Sequence, residues 1–193
     1  MREAGEAPRD VRRRPAGPAR CRLRPVAAFL AACLALAAHA ETRVLERDGR
    51  SISYEVLKPD AASPQSALST ALELMRRLSQ GDIEGAALLS NSPKRRFEVL
   101  KDYEASVGRE EFKRAYSRLL SPQNPPLAEI AMGEHRLILW DLGEAENHVA
   151  AQYYVKVEGR FLMDDRPSRD RADLQRVLRA WRAERASSSG RRD

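Results

Sequence analysis

The sequence predicts an α+β domain in which N-terminal helices pack on a curved antiparallel sheet. An extra β-hairpin is expected in front and an amphipathic helix behind. Three observations lead there. Apolar residues recur at helical spacing between Leu68 and Leu120, and the period changes to two beyond "SPQNPP" at 121–126. Helical and strand patterns come in separate blocks, whereas an α/β fold would interleave them.

The chain opens with residues 1–40, read as an N-terminal extension and signal peptide. Val26–Ala38 is a run of thirteen apolar residues, too short for the roughly 20 that cross a bilayer. It suits the apolar core of a secretory signal, with Arg20, Arg22 and Arg24 as its positive flank. Ala38 and Ala40 are small residues at the two positions a signal peptidase accommodates, so the cut is predicted before Glu41. The expected location is exported, periplasmic or secreted. "LAAC" ending at Cys33 resembles a bacterial lipobox, and gives lipid anchoring in the envelope as the alternative.

Next, 43–58 reads as a hairpin within a segment 41–60. Asp48-Gly49 supplies its two-residue turn, and Ile52, Tyr54 and Val56 alternate on one face. Ser63-Pro64 signals a helix start, followed by Leu68, Ala71, Leu72, Met75 and Leu78 and closed by Gly81. Asp82 is read as the cap of a short second helix. Ser92-Pro93 opens a third, Gly108 ends it, and Phe112 to Leu120 mark a fourth. Residues 121–126 are expected in neither helix nor strand.

Beyond them, Leu137, Leu139 and Asp141 share one strand face, with Arg136, Ile138 and Trp140 opposite. Val149, Ala151, Tyr153, Val155 and Val157 share another, opposite His148, Gln152, Tyr154 and Lys156. Glu158-Gly159 turns the chain into "RFLMDD". Leu174, Val177, Leu178 and Trp181 make the apolar stripe of a helix over 168–186, expected to pack in cis, and 187–193 is expected to be disordered.

Charge follows the predicted cut. The whole chain is +6, but residues 1–40 hold eight Arg and three acids, which leaves 26 basic against 25 acidic residues. A remnant of +1 gives no reason to expect nucleic-acid binding. Within it, 166–193 carries nine Arg against four acids. Both cysteines, Cys21 and Cys33, precede the cut, and only His135 and His148 remain beyond it, so neither a disulfide nor a metal site is expected.

Two segments carry a resemblance. "LSTALELMRRLSQGDIEGAALLS", 68–90, resembles the opening of nuclear transport factor 2-like domains, in which a long helix ends at Gly-Asp and a short one follows. "YYVKVEGRFLMDDRP", 153–167, resembles their closing hairpin. The resemblance covers roughly 64–166, within a domain placed at 61–167. It implies a cone with a pocket between helices and sheet, and homodimerisation through the open sheet. It implies no single chemistry, since the superfamily holds isomerases, dehydratases, cyclases, ligand binders and accessory domains.

The candidate catalytic residues are Asp141, His148 and Tyr154. His148 is expected near Asp141 across "LGEAEN", and Gln152 and Tyr154 share its face as candidate ligand-binding residues. His135 lies six residues from Asp141, about 20 Å along a strand, and does not pair with it. Asp164-Asp165 is expected to be exposed. The preferred expectation is a non-catalytic exported domain that binds a small ligand or a partner protein and uses no cofactor. A small cofactor-independent lyase or isomerase is the first alternative. The second is an envelope-associated protein acting through its Arg-rich helix.

Overall fold

The computed structural model describes residues 40–47, 49–60, 63, 65–142 and 149–189. The signal-peptide reading, Cys33, Ala38 and His148 lie outside these residues.

β1 (Glu41–Arg47) and β2 (Arg50–Leu57) form the hairpin, and Gly49 at φ 70° takes the left-handed turn position. The hairpin is no appendage. β2 pairs with β3 (Pro126–Met132) through Glu55↔Ala131 and Val56↔Ile130, so β1 and β2 form one edge of a single sheet. β4 (His135–Asp141), β5 (Val149–Val157) and β6 (Arg160–Met163) complete a six-stranded antiparallel meander in chain order. Pro126 belongs to this sheet, contrary to the expectation for 121–126. As the first residue of β3, next to a register shift, it needs no amide donor.

The helical block lies between β2 and β3. α1 (Ala67–Gln80) begins three residues later than the Ser63-Pro64 signal suggests. Ser66 caps it instead, its Oγ accepting from the Ser69 amide at 3.0 Å. Gly81, at φ 80°, ends α1 as expected. Asp82 caps α2 (Ile83–Ala87), with Oδ1 accepting from the Gly85 amide at 2.8 Å and Oδ2 facing Arg77 at 3.0 Å. α3 (Pro93–Val107) starts with Pro at its first position, and Gly108 separates it from α4 (Arg109–Leu119).

Both faces of the sheet are covered. On one, Ala67, Leu68 and Ala71 of α1 pack against Ile138, Trp140, Tyr154 and Phe161. On the other, Leu174, Val177 and Leu178 of α5 (Arg169–Ser189) pack against Ile130, Leu137, Leu139 and Val149. The C-terminal stripe therefore packs in cis, as expected. The helix also runs to Ser189, past the expected end at 186 and into the segment expected to be disordered. A third cluster, with Leu74, Met75, Leu78, Leu100 and Phe112, fills the space among α1 to α4. Among the described residues no helix is long and apolar enough to cross a membrane.

Candidate functional site

The sheet separates the residues that sequence reasoning grouped. Directly opposed residues of antiparallel strands share a face. Arg136↔Tyr154 and Ile138↔Gln152 belong to the α1 face, whereas Asp141↔Val149 belongs to the α5 face. Asp141 and Tyr154 therefore cannot meet on one reacting atom, and His148 lies outside the described residues.

Asp141 and Tyr154 also each have a structural engagement. The Asp141 carboxylate accepts from Arg185 of α5 at 2.8 and 2.9 Å. The fully buried Tyr154 hydroxyl donates to Gln152 Oε1 at 3.0 Å, and Gln152 Nε2 reaches Met75 Sδ at 3.6 Å. Burial pushes the Tyr154 phenol far above its ordinary value, so it stays protonated and cannot serve as a base. This Tyr–Gln–Met chain occupies the space beneath α1 where the resemblance implies a pocket.

Several arginines of α5 are likewise engaged within the chain. Arg182 donates to the Val149 carbonyl at 2.8 and 3.1 Å, and Arg176 pairs with Asp173. Arg171 lies 4.9 Å from the ring centre of Tyr153.

A different cluster forms where β6 ends. Met163 bonds on both sides of Ser90: its amide donates to the Leu89 carbonyl at 2.7 Å, and its carbonyl accepts from Asn91 at 2.9 Å. This short parallel bridge ties the α2–α3 loop to the sheet edge. It sets Ser90 and Asn91 against Asp164 and Asp165, which are not exposed as expected. The two carboxylates do point apart, as extended chain requires, but both find partners. Asp165 accepts from Ser90 Oγ at 2.6 Å and from Arg96 Nε at 2.8 Å, with a second contact to Arg96 Nη2. Asp164, 2% exposed, accepts from Asn91 Nδ2 at 2.7 Å. Its other oxygen faces His135 Nδ1 at 3.3 Å, and His135 Nε2 lies 3.5 Å from Asp170. Neither Asp164 Oδ2 nor His135 Nδ1 has a well-directed hydrogen bond.

His135 and Asp164 line a groove of about 540 Å³ on the α5 side of the sheet. Val155 and Leu162 give it an apolar floor, and Arg160 and Arg166 stand exposed at its rim. The groove thus offers a buried carboxylate and an imidazole, then apolar surface, then two cations. Among the described residues no group of three His, Cys, Asp or Glu side chains could hold a metal ion.

Sequence reasoning set His135 aside because it measured the distance to Asp141 along one strand. The informative signal was register across strands. The Glu158-Gly159 turn fixes Val157↔Arg160 and hence Val155↔Leu162, and His135 opposes Val155. His135 therefore falls in the row that ends beside Asp164. Comparison of the chain with protein-family models, with curated proteins and with solved structures finds no match.

Proposed function

We propose that the chain is a non-catalytic, exported binding domain that takes a small organic anion with an apolar body in the groove beneath Arg160 and Arg166. One observation carries this reading. The space under α1 is filled by Met75, Gln152, Tyr154 and Trp140, while the groove by His135 and Asp164 is open and graded from apolar to cationic. Export is supported by the signal-like sequence, and by β1 beginning at Glu41, directly after the proposed cut. Kinship with nuclear transport factor 2-like domains is supported by the two resembling segments and by helices preceding an antiparallel meander.

Calorimetric titration of medium-chain carboxylates against the matching alcohols tests the reading. Carboxylates should bind at least about tenfold more tightly than the alcohols, and Arg160→Glu/Arg166→Glu should abolish the difference. Equal binding of acid and alcohol, or no binding of either, refutes it.

One observation favours a second reading. His135 stands at the groove between two carboxylates, Asp164 at 3.3 Å from Nδ1 and Asp170 at 3.5 Å from Nε2, a placement open to acid–base work. Its test is turnover of a bound ligand that His135→Gln eliminates without loss of affinity.

A further inference from the structure

We infer that the protein pairs with a second copy of itself edge to edge through β1, in a register centred on Val44. Among the described residues β1 is the outermost strand, hydrogen-bonded to β2 alone. An edge strand turns the N–H and C=O groups of alternate residues outward, where another strand can take them. Of the usual guards, proline, a bulge and a very short strand are absent from β1, and its four charged residues, Glu41, Arg43, Glu46 and Arg47, are of both signs, so they repel only in some registers. β1 is seven residues long, contains no proline, pairs with β2 without a bulge, and leaves Val44 56% exposed.

The sequence of the strand selects the partner. In a two-fold pair with the axis normal to the sheet, each residue faces one on the same sheet face, so only every second register is allowed. Centring on Arg43 would set two guanidinium groups against each other. Centring on Leu45 would oppose Arg43 to the partner's Arg47, and would do so twice. Centring on Val44 pairs all seven residues, faces Val44 with the partner's Val44, and sets Glu41 against the partner's Arg47 at both ends.

Both charged ends are suited to this. Within one chain Arg47 lies directly opposite Arg50, a like-charge pair that a carboxylate would relieve. Glu41 accepts from Arg43 at 3.0 Å, yet its side chain is 63% exposed and open to a second cation. Arg43 lies 5.5 Å from the ring centre of Trp181 on α5, which sets its place on the odd-numbered face. The axis normal to the sheet brings both α5 helices to one side of a continuous twelve-stranded sheet. This differs from pairing through the sheet face, which α5 covers.

Sedimentation equilibrium of the purified protein at low salt provides the test. A reversible dimer in the micromolar range is expected, since an interface of one strand edge is small. Arg47→Glu should raise the dimer dissociation constant about tenfold, although it gives Arg50 an opposite charge and so favours the hairpin. Glu41→Arg should do the same. The double swap Glu41→Arg/Arg47→Glu should return it to within about threefold of the natural value. Thermal unfolding of each variant separates lost pairing from lost fold. A monomer at every concentration overturns the inference, as does a dimer that the single swaps leave unchanged or the double swap fails to restore.

Discussion

Leu174→Ala tests whether α5 is part of the fold or an arm available to partners. Leu174 is fully buried among Ile130, Leu137, Leu139 and Val177. The substitution removes three carbons, worth about 0.8 kcal/mol each in transfer from water. It also opens a cavity between a helix and a sheet that can close only partly, and the combined cost is about 3–4 kcal/mol. For a domain of this size that lowers Tm by roughly 6–16 °C. The control is Arg179→Ala, an exposed residue on the same helix, which should cost less than about 0.5 kcal/mol. Urea unfolding followed by tryptophan fluorescence reads both, because Trp140 and Trp181 lie on either side of the sheet. Equal midpoints for the two variants would mean that α5 does not complete the core.

Three other outcomes follow from specific contacts. Arg96→Met removes the guanidinium from the half-buried Asp165 and should destabilise the fold by about 2–4 kcal/mol, whereas Arg95→Met should be near neutral; chemical denaturation compares them. A Cβ at Gly85 would collide with the Asp82 carboxylate and the Arg77 guanidinium, so Gly85→Ala should displace the α2 cap and cost about 1 kcal/mol, read in the same way. Burial holds the Glu129 carboxyl above its usual range, with Arg136 opposing and Asp60 adding to the rise. The native state therefore binds more protons than the unfolded chain between the ordinary and the raised value, and stability falls as pH rises through that window. Glu129→Gln removes that slope. Its stability relative to the natural protein should improve as pH rises from the ordinary carboxylate range through the raised one, and an unchanged difference would contradict the assignment.

Much of the fold was legible because it rests on local chemistry. Gly81 and Gly108 end their helices at left-handed φ, Asp82 caps, and the shift from helical spacing to alternation marks the passage from α4 to β3. The α1 start was misplaced because Ser63 and Ser66 are equally good caps by type, and only the geometry around Ser69 separates them.

The site was less legible. Alternation along β5 distinguishes two faces but does not say that both are buried, which requires knowing that α1 and α5 lie on opposite sides. Tyr154, a catalytic and ligand-binding candidate by sequence, is core. The His135–Asp164 pair joins residues 29 positions apart and becomes visible only once the registers of β4, β5 and β6 are combined. Asp164 and Asp165 read as surface acids because their partners, Asn91, Ser90 and Arg96, arrive from the α2–α3 loop and the start of α3, about 70 positions away in the chain.

The most direct measurement is amide chemical-shift mapping during titration with a medium-chain carboxylate. Binding in the groove predicts shifts at His135, Val155, Arg160, Leu162 and Asp164, with Met75, Gln152 and Tyr154 unmoved. Shifts concentrated at Met75, Gln152 and Tyr154 would mean that the space beneath α1 opens to ligand, and would contradict the assignment of binding to the outer groove.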